Sequence, residues 1–209
     1  IAAVREIERR HRRVHGKLES PVGKYRAGTS YDANDPQLQL WVHATLVDTA
    51  ARVYEMFIGT LSDADRETYY EESKIVGRVL GIPDDILPRN LKAFRRYMTS
   101  MVEGDALAVG EAGRTIADSI RAPEHPFGLK YLLPPLNMLT TALLPEPLRS
   151  KYGYDWSEPR ELLLRAMVTA SQAAIFVLPH RLRFFPHAYR ALNRESLRRP
   201  ESTGSEAVA

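Results

Sequence analysis

Apolar residues recur every three or four positions along nearly the whole chain, which is the spacing of one face of an α-helix. The first such stripe consists of Val4, Ile7, His11, Val14 and Leu18. No window alternates apolar and polar residues between turn residues, as a half-buried strand would. The pattern therefore predicts an all-α protein with a single globular helical domain of about eight helices.

Capping residues, prolines and glycines set the boundaries of the predicted helices. The first helix runs to about residue 15, and the loop at 17–34 is long enough to suggest a functional or mobile segment. The second helix has Asn34 or Asp35 as its cap and Pro36 at its first position. Ser62 and Ser157 are predicted to cap two later helices. The remaining helices are predicted at 87–102, 105–121, 134–144 and 186–197.

The domain is predicted to cover residues 1–195, followed by a flexible tail at 196–209 that is rich in Ser, Gly and Glu. Because Ile1 already lies inside a helical pattern, we expect further residues before it, and any targeting signal would lie there. No stretch reaches the roughly 18 consecutive apolar residues that a membrane span needs. We expect a cytoplasmic protein, and the sequence leaves its oligomeric state open.

The chain has 209 residues and no cysteine, which excludes disulfides, cysteine-ligated zinc, iron–sulfur clusters and thiolate-ligated haem. Any bound metal would need histidine or carboxylate ligands. Charge is unevenly distributed, with six basic and two acidic residues at 5–17, six basic and one acidic at 181–200, and a net negative remainder. The basic ends fit a nucleic-acid surface, a site for an anionic cofactor or solvated helix faces.

His43 lies on the predicted second helix among apolar neighbours, so its imidazole is expected to face the core. Those neighbours are Leu40, Leu46, Val47, Ala50, Tyr54 and Phe57. A core histidine usually pairs both ring nitrogens with carbonyls or side chains. The alternative is a metal ligand, with one nitrogen bound to iron or zinc. His11 and His15 are four residues apart and would share one face of the first helix, either as surface residues or within a site.

Four segments carry a family resemblance, of which the strongest is Trp-Val-His-Ala-Thr-Leu-Val-Asp at 41–48. The others are Gly-Thr-Ser-Tyr-Asp-Ala-Asn-Asp-Pro at 28–36, Tyr-Tyr-Glu-Glu at 69–72 and Leu-Gly-Ile-Pro at 80–83. Together they resemble the oxygenase family of the latex-clearing (rubber) oxygenases and the MpaB-type oxygenases. The resemblance covers most of the chain. It implies an α-helical fold with a globin-like core, a haem b cofactor, and cleavage of isoprenoid double bonds with dioxygen as co-substrate.

The resemblance places His43 at the proximal iron ligand of the haem. The family also has a cluster of polar residues on the distal side of the haem. The matching residues of this chain include His11, Arg12 and His15, which are the candidate catalytic residues. The candidate partners of the haem propionates are Arg9, Arg12, Arg181 and Arg183. Where the rubber oxygenases have an arginine one turn after the ligand, this chain has Val47.

The leading hypothesis is a haem b-dependent oxygenase acting with dioxygen on an apolar, unsaturated small molecule of isoprenoid type. One alternative is a family member that binds haem or a lipid without catalysis. Another is an all-α regulator that binds DNA through its basic ends. Since the chain has no helix-turn-helix pattern, a nucleic-acid partner is not expected.

Overall fold

The computed structural model describes residues 2–123, 131–179 and 189–190. These residues form eight α-helices and one small antiparallel sheet. The elements are α1 (Ala2–His11), β1 (His15–Lys17), β2 (Ser30–Asp32), α2 (Pro36–Phe57), α3 (Asp63–Val79), α4 (Leu91–Glu103), α5 (Glu111–Arg121), α6 (Leu133–Leu143), α7 (Glu146–Tyr152) and α8 (Glu158–Val177). The predicted single domain, mostly helical and with about eight helices, is confirmed.

Side-chain caps explain where α2 and α3 begin. The Asp35 carboxylate accepts a 2.8 Å hydrogen bond from the Gln37 backbone N–H, directly before Pro36. Ser62 and Asp65 form a capping box, in which the Ser62 hydroxyl accepts from the Asp65 backbone N–H at 3.1 Å. Both predicted helix starts are confirmed, because local capping chemistry determines them.

Helix α2 is the central element of the fold and packs against α3 and α8, while α3 contacts α4, α4 contacts α7, and α6 contacts α8. The buried face of α2 presents Leu40, His43, Ala44 and Val47 at helical spacing. It joins two core clusters. The first contains Ala44, Val47, Tyr70 and Phe94, and the second contains Leu40, Ile82 and Leu87.

A two-stranded sheet follows α1, and the prediction of a helix that continues to residue 15 is wrong. Helix α1 ends at His11, and His15 lies in β1 opposite Asp32 of β2. The Val14 carbonyl accepts from the Ala33 N–H at 2.9 Å, and the Leu18 N–H donates to the Thr29 carbonyl at 2.9 Å. These non-local bonds replace those of a longer helix. His11 and His15 therefore do not share a helix face.

Other boundaries also differ from the predictions. Helix α4 begins at Leu91 because Asn90 caps it, accepting from the Ala93 N–H at 2.9 Å. Helix α5 begins only after Gly110, and the short helix α7 was not predicted. The helix predicted at 186–197 and the predicted tail lie outside the described residues, apart from residues 189–190.

The loop at 17–34 is attached to a distant segment. The Tyr25 hydroxyl donates to the Ala106 carbonyl at 2.9 Å, and the Lys24 ammonium contacts the Asp105 carboxylate at 2.8 Å. The loop therefore has long-range anchors in addition to β2. Among the described helices, none combines the length and apolar character required to cross a membrane.

The two serine caps provide a matched test of helix capping. We expect Ser62→Ala to lower the free energy of unfolding by about 1 kcal/mol, because it removes a side-chain acceptor from the first turn of α3. Ser157→Ala should change it by less than about half of that, since Ser157 precedes α8 but makes no side-chain cap hydrogen bond. Urea unfolding would measure both variants. Equal losses would contradict the capping assignment.

Candidate functional site

His43 lies near the middle of the buried face of α2 and is only 5% exposed. Leu40 and Val47 flank it on this face, as expected. Leu46 and Tyr54, also predicted as neighbours, are 63% and 44% exposed and lie towards the outer side of the helix. The expectation that the imidazole faces the core is confirmed, although part of its predicted apolar surroundings lies elsewhere.

The Nε2 atom of His43 is buried and has no hydrogen-bond partner within the described part of the chain. Burial lowers the pKa of the imidazole, because the charged form loses its hydration. The ring is therefore held neutral near pH 7, which is the form that binds a metal ion. Buried polar atoms without partners are rare in folded proteins, so this nitrogen requires an explanation.

Gly77 of α3 makes this arrangement possible. A β-carbon built on Gly77 would lie 3.3 Å from Nε2 of His43 and 3.3 Å from a δ-methyl of Leu87. Such distances are shorter than most real contacts of a β-carbon. The missing side chain therefore provides the space in which α3 approaches the imidazole of α2.

The donor chemistry at His43, a single imidazole, suits a haem iron better than a metal site made only of side chains. The described residues contain no group of three or more His, Cys, Asp or Glu side chains that could hold an ion. A haem iron needs fewer protein ligands, because the porphyrin itself supplies four nitrogens, and a single proximal histidine is a common arrangement. A buried neutral imidazole with an unpaired nitrogen meets that requirement.

A cavity of about 670 Å³ lies between α1, the strand segment, the first turns of α2 and the end of α3, and we call it the α1–α2 cavity. Its lining includes His11 and, from α2, Leu38, Gln39 and Val42. Gln39 lies one helical turn before His43, and Val42 lies directly before it. The half-buried ring of His11 is thus the only member of the predicted distal group among the described lining residues of this cavity.

The other predicted distal and propionate-binding residues lie at the surface. Arg9 pairs with Glu6, and Arg12 contacts Glu8 at 3.5 Å, each within α1. His15 is exposed in β1. The structure therefore does not bring these three side chains together with His11 in one pocket. Arg181 and Arg183 lie outside the described residues.

A second cavity, of about 690 Å³, lies between α2, α3, α4 and the start of α7, and we call it the α2–α4 cavity. Val47, one turn after His43, contributes to its wall. Ion pairs cross or border the cavity, including Arg52 with Asp48 at 2.6 Å. That pair is the helix-surface contact that its spacing predicts. The two cavities thus border α2 on either side of His43 along the helix.

Two buried residues of α3 were missed in the sequence. Gly77 could have been noticed as an isolated glycine inside a helical pattern, which often has a packing reason. Lys74 is 7% exposed, and its ammonium donates to the Glu71 carboxylate and to the Arg89 carbonyl, both at 2.7 Å. No local signal predicts that a lysine on α3 reaches the turn before α4.

A family model described as the catalytic domain of the ER-bound oxygenase mpaB/B′ and rubber oxygenase matches residues 1–173. The chain belongs to this family. The family resemblance of the four sequence segments is therefore confirmed. The chain is related to oxygenases, which are oxidoreductases.

Two mycobacterial relatives extend this comparison. The uncharacterized protein Mb2261 of Mycobacterium bovis and the uncharacterized protein Rv2237 of Mycobacterium tuberculosis are each 30% identical over 179 residues. The match covers 84% of this chain and 66% of each relative, which is slightly less than two thirds of their length. No solved structure matches the chain significantly. The globin-like arrangement implied by the resemblance stays a prediction.

The unpaired nitrogen of His43 predicts an unusual effect on stability. We expect His43→Leu to raise the free energy of unfolding of the haem-free protein by about 1 kcal/mol at pH 7.5, because it removes a buried polar atom without a partner. In the wild type, the pKa of His43 is lower in the folded state than in the unfolded state. Stability should therefore fall as the pH drops below about 6.5, where the unfolded chain takes up the proton first.

Urea unfolding between pH 7.5 and 5 would measure both effects. His43→Leu should show a smaller loss of stability on acidification than the wild type. The control is His15→Ala, an exposed substitution that should keep the wild-type pH profile. A strong destabilisation by His43→Leu at pH 7.5 would instead indicate a histidine that serves the packing of the core.

Gly77 and Gly113 allow a matched test of the space beside the imidazole. We expect Gly113→Ala to stabilise α5 by up to about 1 kcal/mol, because the nearest atom to its β-carbon would be 3.8 Å away. Gly77→Ala should destabilise the protein by about 1–3 kcal/mol, because buried His43 and Leu87 would both have to shift. Thermal or urea unfolding would compare the two. Equal gains would contradict close packing at Gly77.

Proposed function

We propose that this family member is a haem b-dependent oxygenase that uses dioxygen, in which His43 would hold the haem iron. The observation that carries the proposal is the buried Nε2 of His43, which has no hydrogen-bond partner among the described residues. Membership of an oxygenase family supports the same assignment. When bound, haem supplies the iron chemistry that activates dioxygen, while the protein supplies binding, orientation and electrostatics.

His11 is the best placed of the proposed distal residues. Its half-buried ring lines the α1–α2 cavity, where an imidazole can donate a hydrogen bond or hold a proton. We assign supporting distal roles to Arg12 and His15, which follow His11 in the chain. Both side chains are exposed, so these roles require that they approach the cavity from its rim.

The propionates of haem need cations, and we assign this role to Arg9, Arg12, Arg181 and Arg183. Arg9 and Arg12 are 62% and 63% exposed and pair with Glu6 and Glu8 within α1. Exposed ion pairs of this kind contribute about 0–1 kcal/mol. Either arginine could therefore leave its glutamate partner and bind a haem propionate at little cost in free energy.

The proposed substrate is an apolar, unsaturated molecule of isoprenoid type. The α1–α2 cavity supports an apolar ligand, because much of its wall is aliphatic. These wall residues are Ile7, Val14, Leu38, Val42, Val79 and Leu80. Cleavage of one carbon–carbon double bond by one dioxygen molecule gives two carbonyl groups, each with one oxygen atom. This reaction is balanced without a reductant.

Haem uptake tests the cofactor assignment. We expect the purified protein to show a Soret band, as isolated or after addition of haemin. His43→Ala should lose or shift this band because it lacks the axial nitrogen, and added imidazole should restore it by occupying the vacated space. His11→Ala and His15→Ala are the controls, and both should retain the band. A folded wild-type protein that takes up no haemin would overturn the proposal.

Product analysis tests the substrate assignment separately. The haem-loaded protein would be incubated with squalene under isotopically labelled dioxygen, and with squalane as the saturated control. We expect labelled carbonyl products from squalene alone. A normal haem spectrum without products would leave the alternative of a family member that binds haem without catalysis, and would contradict the proposed reaction.

A further inference from the structure

The α2–α4 cavity has an apolar floor and a charged rim. Its floor consists of core residues, including Val47 and Phe94, together with the half-buried Met98. Its volume of about 690 Å³ lies within the range of roughly 300–1,000 Å³ that is usual for small-molecule sites. These apolar side chains favour a ligand whose body is also apolar.

Most charges on the rim are already paired. Arg52 contacts Asp48 at 2.6 Å, and the Arg66 guanidinium donates to the Glu55 carboxylate from Nε at 2.9 Å. Both pairs bring together one cation and one anion of the lining, so they leave little net charge for a ligand. The first pair lies within α2, and the second joins α3 to α2.

Arg95 differs from these two arginines. It lies on α4, it is 56% exposed, and the nearest carboxylate oxygen within the described part of the chain, on Asp63, is 3.9 Å away. This distance is too long for a hydrogen bond, and the same Asp63 oxygen already accepts from Arg66 at 3.1 Å. Arg95 therefore has donors available at the mouth of the cavity.

The basic and acidic lining residues of α4 lie far apart along the helix. Glu103 also lines the cavity, but it lies eight residues after Arg95, which is about 12 Å along a helix. Thr99 lies one turn after Arg95 on the same lining face and offers a hydroxyl donor. An anion bound near Arg95 and Thr99 would thus be remote from the Glu103 carboxylate.

We propose that the α2–α4 cavity binds a single-chain amphiphile with a carboxylate head, which Arg95 and Thr99 hold while the chain covers Phe94, Met98 and Val102. A guanidinium binds a carboxylate through charge-assisted hydrogen bonds, which are among the stronger polar contacts in proteins. This site is separate from the α1–α2 cavity. The inference does not depend on haem binding, so the measurement uses protein without added haemin.

Titration calorimetry with dodecanoate, below its micelle concentration, tests the role of the head group. We expect saturable binding at one site, with dodecanol at least tenfold weaker and acetate not bound. Arg95→Met should weaken dodecanoate about tenfold and leave dodecanol unchanged. Arg96→Met is the matched control, because it removes the neighbouring arginine of α4, which is not part of the described lining. Equal losses in the two variants, or equal affinity for dodecanoate and dodecanol, would overturn the proposal.

A second pair of variants tests the location of the chain. Thr99 and Ser100 are adjacent and exposed on α4, but only Thr99 is among the described lining residues. Thr99→Trp should abolish dodecanoate binding by filling the cavity mouth, whereas Ser100→Trp should leave it intact. Because neither position is buried, we expect both variants to fold. Unchanged binding in Thr99→Trp would show that the chain binds elsewhere on the surface.

Discussion

The contact between the His43 imidazole and Gly77 is the constraint on which the described core depends. It lies where α2 meets α3, between the two clusters of buried apolar side chains. A leucine at position 43 would satisfy this environment better than a histidine, and an alanine at position 77 would suit a helix better than a glycine. The chain thus departs from local preference at two contacting positions. Departures of this kind are expected at functional sites.

The parts of the fold that local chemistry controls could be predicted. Asp35, Pro36 and Ser62 determine the starts of α2 and α3 through contacts within one turn of the chain. The helical spacing of Leu40, His43 and Val47 was sufficient to predict a buried imidazole. No knowledge of the tertiary structure was needed, because a helix fixes which of its own residues share a face.

The hairpin of β1 and β2 could not be predicted in the same way. It depends on hydrogen bonds between segments about fifteen residues apart, and its strands are too short to show alternation. The same limit applies to the site. The sequence motifs around His43 identified the family and the candidate ligand. They could not show that Arg9 and Arg12 pair with glutamates of their own helix. Nor could they show that Gly77 faces Nε2, because that contact joins two helices.

The hydrogen bond between Gln172 and Met56 has a consequence for the order of folding. The Gln172 side-chain amide donates to the Met56 carbonyl at 2.9 Å, and the two residues are 116 positions apart. Closing so large a loop costs more conformational entropy than bringing together helices that are neighbours in the chain. We therefore expect α2, α3 and α4, which are neighbours in the chain, to associate first. Helix α8 would then dock last, onto a completed face of α2.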